Sequence, residues 1–282
     1  MSTELRKMAS DEYKSIIKDM LKYVHKICVE NGIHYFAAYG TLLGAVRHNG
    51  IIPWDDDVDV WMLGEDYDRF VDAVEKSTSD YYILNGDNSP NYYHLVTRIC
   101  SKSGILKLKG IADIDNLGPF IDIFRLYKAP EDFSERMKLY AAVRDANLDV
   151  RYSLPSQYYR TCTPKARALT CMRRLKRFYK CYFVGTKKLK EFRQNIVTQY
   201  EKTDSDLYYS VFDFKNISER SDKRTFTRKQ IEETELHPFE DFEILIPKDY
   251  DTILTRIYGD YMQLPPPEKR VSKHHFTAYW RE

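Results

Sequence analysis

The segment best equipped for chemistry is Trp54-Asp55-Asp56-Asp57-Val58-Asp59-Val60. Asp55 to Met62 alternates polar and apolar residues and reads as a strand, in which successive side chains point to opposite faces. Asp57 and Asp59 then share a face, about 6.6 Å apart along the strand. Two carboxylates held this way repel each other and call for a cation. An all-oxygen donor set favours Mg2+, or Mn2+. Asp55 has the same parity but lies nearer the preceding loop, and Asp56 faces the other side.

A metal held by one or two carboxylates usually completes its shell with substrate phosphate. The sequence offers a phosphate feature just upstream. A buried strand, His34 to Tyr39, runs straight into Gly40-Thr41 and a short helix through Leu42, Leu43, Ala45 and Val46. A strand that ends on glycine and opens a helix presents backbone N–H groups at the positive end of the helix dipole. Gly40, Thr41 and Leu42 are therefore candidates for phosphate binding. Arg47, less than two turns on, has the fork geometry for a phosphate clamp. A third acid, Asp122, stands in the apolar run Phe120-Ile121-Asp122-Ile123-Phe124. An acidic cluster by itself is ordinarily a solvated turn. The succession of strand, Gly-Thr turn, helix, acidic strand and second acidic strand is more specific, and favours metal–phosphate chemistry.

These residues need elements to hold them. Tyr13, Ile16, Ile17, Met20, Leu21, Val24, Ile27 and Cys28 recur at helical spacing behind Ser10, a candidate N-cap, and stop near Gly32. Another helix is expected after Gly64, and short strands at Tyr81–Leu84, His94–Ser101, Ile105–Leu108 and Phe120–Leu126. From Pro130 to Tyr200 the pattern is helical and basic, with Leu169, Met172, Leu175, Tyr179 and Tyr182 on one helix face. A strand-like Phe-Glu-Ile-Leu-Ile-Pro and a helix from Tyr250 to Tyr258 follow. The reading is an α/β (α+β) catalytic core at residues 1–130, a basic helical insertion at 131–235, and a segment at 236–282 that returns to the core.

Composition narrows the classes. The 282 residues carry 44 Lys+Arg against 42 Asp+Glu, so the chain is neither a globally basic nucleic-acid binder nor an acidic tail. Hydrophobic residues at 43% are enough for a core. The average conceals a block from Arg160 to Arg193 that nets +11 and leaves the remainder at −9. No RNA-binding motif accompanies it, so nucleic acid is not expected as a partner. Cys28, Cys100, Cys162, Cys171 and Cys181 are odd in number and match no common zinc spacing, as in reduced cytoplasmic proteins. There is no secretory h-region and no run of about 18 apolar residues, so a cytoplasmic location is expected.

Tyr39–Val60, YGTLLGAVRHNGIIPWDDDVDV, closely resembles the signature block of the LicD family. FIDIF at 120–124 and YGDYMQLPPPEKR at 258–270 are similar to further family segments. The strong resemblance covers about Asp19 to Tyr127, with a weaker echo from Pro238 to Phe276. It implies a nucleotidyltransferase-like mixed sheet with flanking helices. It also implies transfer of phosphocholine, or another phospho-substituted alcohol, from a CDP-linked donor such as CDP-choline to a glycan, with release of CMP. Gly40 and Thr41 match the family's donor-phosphate turn, Asp57 and Asp59 its metal-binding pair, and Asp122 its third acid.

Asp122 is expected either to complete the metal shell or to take the proton of the attacking hydroxyl. A choline-bearing donor calls for aromatic rings around its ammonium. Trp61, which shares the parity of Asp57 and Asp59, is a candidate with Trp54, Tyr92 and Tyr93. His48, Lys269, Arg270, His274 and His275 are candidate donor or acceptor contacts. The block at 160–193 is a candidate contact for an anionic membrane surface that carries a lipid-linked acceptor, or for an anionic polymer, or simply a solvated face. Two other classes fit the same residues. One is a nucleotidyltransferase that attaches a nucleotide to a protein, small molecule or RNA. The other is a non-catalytic glycan-binding module.

Overall fold

The computed structural model describes residues 5–108, 114–154, 164–177, 179–211, 217–272 and 276–281. The N-terminal part comprises α1 (Ser10–Glu30), β1 (Phe36–Ala37), α2 (Tyr39–His48), β2 (Asp59–Leu63), α3 (Gly64–Lys76), β3 (Tyr81–Leu84), β4 (Thr97–Ser101), β5 (Gly104–Leu108) and β6 (Phe120–Ala129). The middle holds α4 (Phe133–Ser153), α5 (Pro164–Lys176), α6 (Thr186–Val197), β7 (Leu207–Ser210), β8 (Thr225–Thr227) and α7 (Arg228–Glu232). The chain ends with β9 (Thr234–Phe239), β10 (Phe242–Pro247), α8 (Tyr250–Tyr258) and β11 (Phe276–Trp280).

The main sheet is mixed, in the order β1-β2-β6-β4-β3, and β7 and β8 extend it from β6. β2 runs parallel to β6, and the other pairings in this sheet are antiparallel. β6 is the hub. It is ten residues long, so β4 pairs with its first half and β7 with its second. Two small antiparallel pairs, β9–β10 and β5–β11, complete the sheets, and the second joins the C-terminal strand to the middle of the chain.

The apolar stripe of α1 becomes core as its spacing requires. Ile17, Met20, Leu21 and Val24 have no exposed surface, and they belong to the same cluster as Ile121 and Ile123 of β6. A smaller cluster around Leu139, Tyr140 and Val143 of α4 includes Tyr127 and Tyr209 of β6 and β7.

Several local expectations are corrected. Ser10 does not cap α1; Ala9 holds the cap position, and its N–H donates to the Glu12 carboxylate. The strand expected at His34–Tyr39 shrinks to Phe36–Ala37, because only these residues find partners on β2. Tyr39 already belongs to α2 and takes a φ of +42°, a strained value for an aromatic residue. The acidic strand begins at Asp59 rather than Asp55, because a turn after Pro53, closed by Asp55 N–H to the Ile52 carbonyl, diverts the chain. β4 begins at Thr97, not His94. The basic helix stops at Lys176, and Lys180–Val184 forms a separate π-helical turn that ends at Gly185, whose φ is +83°.

Candidate active site

A cleft of about 1170 Å³ opens where α2, β2, β6 and the segment from α8 to Val271 meet. Its floor carries Asp55, Asp57, Asp59 and Asp122, and its rim Arg47, Arg224, Lys269 and Arg270. The three acids expected from the sequence therefore converge on one concavity. They arrive by different routes. Asp57 comes from the loop before β2, whereas Asp59 and Asp122 stand directly opposite each other in the parallel β2–β6 register.

Asp59 is only 7% exposed. Burial, followed by the nearby Asp57, Asp122 and Asp55 carboxylates, pushes its carboxyl well above the usual range. Asp122 has a fixed partner. The Arg98 Nε donates to its Oδ1 at 2.8 Å, and both side chains are largely buried. Burial opposes the charge on Arg98, but Asp122 more than offsets it and holds the guanidinium above its ordinary range. Arg98 also lies against the Phe120 ring, 3.8 Å from its centroid.

The start of α2 approaches the acids closely. A Cβ on Gly40 would sit 3.0 Å from Asp55 Oδ2, so a side chain there would press on the acidic loop. Thr41 is buried, and its hydroxyl accepts the Asp59 N–H at 2.8 Å. It ties α2 to the start of β2 and does not line the cleft. Leu42 has no exposed surface. Arg47 lines the cleft, with its Nη1 donating to the Tyr261 carbonyl at 2.6 Å, and burial lowers its pKa.

Of the candidate aromatic cage, only Trp54 lies in the cleft, with Arg270 over its ring at 5.6 Å and His48 edge-on to it at 5.6 Å. Trp61 has the expected parity but sits behind Tyr39, ring centroids 4.7 Å apart, with its indole N–H donating to Ser210. Tyr92 is wholly buried near Arg98, and Tyr93 packs on His94; neither lines the cleft. Lys269 and Arg270 line the rim. His274 and His275 fall outside the described residues.

Sequence reasoning missed four lining groups, Arg224, Tyr258, Asp260 and Tyr261, and the clamp Arg98. Arg98 carried a signal, a lone arginine in an apolar strand. Arg224 carried none, since it follows a run of mixed charges and reaches the cleft through the β7–β8 extension, where it lies over the Tyr39 ring.

Among the described residues no three His, Cys, Asp or Glu side chains are gathered as a metal-holding group. What fits a divalent cation is the two-carboxylate pair Asp57 and Asp59, both hard oxygen donors, with Asp59 buried among like charges.

The sequence profile described as LicD/FKTN/FKRP, nucleotidyltransferase domain, matches residues 32–160 of this chain. The chain is similar to the lipopolysaccharide cholinephosphotransferase LicD of Haemophilus influenzae, with 26% identity over 280 residues that cover 98% of this chain and 99% of the relative. It is also similar to the human ribitol 5-phosphate transferase FKRP, at 42% identity over 50 residues, which are 18% of this chain and 10% of that one. The similarity to the Haemophilus influenzae relative thus runs along nearly the whole length of both chains.

Proposed function

We propose that the protein transfers a phospho-alcohol, phosphocholine in the first instance, from a CDP-linked donor to a hydroxyl of a cell-surface glycan such as lipopolysaccharide or its lipid-linked precursor, with CMP as the leaving group. The observation that carries this reading is the meeting of an acidic floor, the glycine-led start of α2 and a basic rim in one cleft. The end-to-end similarity to a lipopolysaccharide cholinephosphotransferase supports phosphocholine as the group.

Asp57 and Asp59 would hold Mg2+, which when bound neutralises charge on the donor diphosphate. Asp122, anchored by Arg98, keeps a further negative charge opposite Asp59 and so raises the demand for a cation there. The start of α2 offers backbone N–H groups to the phosphates, and Arg47, Arg224, Lys269 and Arg270 balance their charge from the rim. Phosphoryl transfer asks mainly for positioning and charge neutralisation, and these groups supply both. Trp54, Tyr258 and Tyr261 line the same cleft and give the donor's alcohol an aromatic wall.

The lipid-linked form of the acceptor has its own support. Leu169, Met172 and Leu175 of α5 and Tyr179, Tyr182 and Phe183 beyond it are 42–70% exposed. They stand in the segment richest in Lys and Arg, which suits an anionic lipid surface. No described helix is long and apolar enough to cross a membrane.

The test is a donor screen with purified protein. CDP-choline, CDP-ribitol and CDP-glycerol are compared with and without Mg2+ and glycan acceptor, and CMP is read out. CMP release from CDP-choline, dependent on acceptor, is the expected result. Pyrophosphate release from a nucleoside triphosphate instead would replace this reading with nucleotidylation. Inactivity with every donor and acceptor would favour a binding module.

A further inference from the structure

A second cavity, of about 850 Å³, lies on the reverse face of the main sheet. The geometry of β6 shows this directly. Asp122 and Phe124 face the first cleft, whereas Arg125 and Tyr127, of opposite parity, line the second. α3, the segment from Asn85 to Thr97 and α6 close the other sides.

The lining is built around cations that the fold leaves short of countercharge. Arg193 of α6 is only 4% exposed. Its Nη1 donates to the Tyr93 carbonyl and to Asn147 Oδ1, but its buried Nε has no hydrogen-bond partner, and it forms no ion pair among the described residues. Arg125 pairs with Asp68 through Nη1 at 2.6 Å, and its buried Nε is likewise without a partner. Lys190 spends its ammonium on the backbone carbonyls of Gly86, Ser89 and Pro90, at 2.7, 3.2 and 3.4 Å, and on no carboxylate. Burial, then the proximity of Arg193, lowers the Lys190 pKa, and burial lowers that of Arg193 to about 10. Asp87 and Glu191 are the remaining acids of the wall; Asp87 lies near enough to favour the charge on both Arg193 and Lys190, but neither acid forms an ion pair with them among the described residues.

A buried, hydrogen-bonded guanidinium is costly to keep without a countercharge. A buried guanidinium without an ion pair, beside an ammonium held only by backbone carbonyls, is what an oxyanion bound in the cavity would neutralise. We propose that this cavity binds a phosphorylated small molecule, with its phosphate held by Arg193, Lys190 and Arg125 between α6 and the reverse face of β6. Such a ligand would join α6 to the strand that carries Asp122. The site shares no lining residue with the first cleft and does not depend on the transferase reading.

Binding of inorganic phosphate and of a hexose 6-phosphate to the full-length protein tests it, by calorimetry and by hydrogen exchange. Wild type, Arg47→Gln, Lys190→Gln, Arg193→Gln and Arg125→Gln are compared. Phosphate should slow exchange in residues 186–197; the concentration giving half of this protection should rise at least tenfold in Lys190→Gln and Arg193→Gln and stay as in wild type in Arg47→Gln, which alters only the first cleft. Tighter binding of the hexose phosphate assigns the site to an organic phosphate; equal binding assigns it to phosphate itself. If Arg193→Gln loses its circular dichroism signal, Lys190→Gln and Arg125→Gln decide. Unchanged half-protection of 186–197 in those variants, its loss in Arg47→Gln, or no protection there in wild type would overturn the proposal.

Discussion

Asp59 and Asp122 face each other across the parallel β2–β6 pair, and Arg98 grips only the second of them. The two carboxylates are close in space and unequal in circumstance. Asp122 has a permanent countercharge from β4, whereas Asp59 is buried with no ion pair among the described residues. Arg98 therefore belongs to the architecture of the site as much as the acids do.

Removing that countercharge should be expensive. Arg98→Met leaves the Asp122 carboxylate without its ion pair, and breaking a buried ion pair from one side costs about 3–5 kcal/mol. Urea denaturation should show a loss of this order. The double variant Arg98→Met/Asp122→Leu should recover most of it, because removal of both partners leaves no buried charge behind. A single variant as stable as wild type would show that solvent, not Arg98, supports Asp122.

Divalent cation should stabilise the fold through Asp57 and Asp59. At free Mg2+ one hundred times its dissociation constant, linkage gives about 2.7 kcal/mol. Thermal melts of wild type should shift upward with Mg2+, and those of Asp57→Asn and Asp59→Asn should not. Without metal, Asp59→Asn should melt no lower than wild type, since it removes a charge held among like charges. Both variants should release no CMP from CDP-choline. A full Mg2+ shift in Asp59→Asn would remove Asp59 from the metal site.

How much of this was legible in the chain depends on the range of the interaction. Gly40 and Asp59 announce themselves locally, as a turn before a helix and an acid in an alternating run. The parallel pairing that sets Asp122 opposite Asp59 is made by residues 63 positions apart in sequence, and no spacing rule reports it. Parity correctly aimed Trp61 but could not reveal that Tyr39 covers it. Asp57 was placed in a strand, yet the turn after Pro53 puts it in a loop, and it reaches the cleft all the same. The exposed apolar face of α5 read equally well as buried, because periodicity shows that a face exists and not what it meets.

His94 makes stability depend on pH. Burial, and then Arg98, Arg151 and Arg193 around it, hold its pKa well below the ordinary value of 6.5. The folded state keeps the ring neutral where the unfolded chain protonates it. The unfolded state therefore binds more protons below about pH 6.5, and stability falls with acidity there, by up to about 1.4 kcal/mol per pH unit for one proton. Above that pH the histidine contributes no slope. Denaturation midpoints from pH 7.5 to 5 should show this decline, and His94→Gln should flatten it. His25, His34 and His48 are depressed too, chiefly by burial, so some slope will remain in the variant.

The exposed face of α5 and the π-helical turn gives the last expectation. Arg177 and Lys180 already pair with Asp149, at 2.8 and 2.6 Å, so part of the basic block is neutralised internally. Its lipid affinity should then lean on apolar insertion as well as on charge. Sedimentation with phosphatidylglycerol vesicles should pull down the wild type. Leu175→Ser/Phe183→Ser should weaken association strongly, since each large side chain withdrawn from lipid forfeits about 1.5–3 kcal/mol at full burial. Association should also weaken with salt, because the remaining cations act through screened charge. Binding that is lost in salt but indifferent to the two serines would make the surface a purely electrostatic one, suited to an anionic glycan rather than to a bilayer.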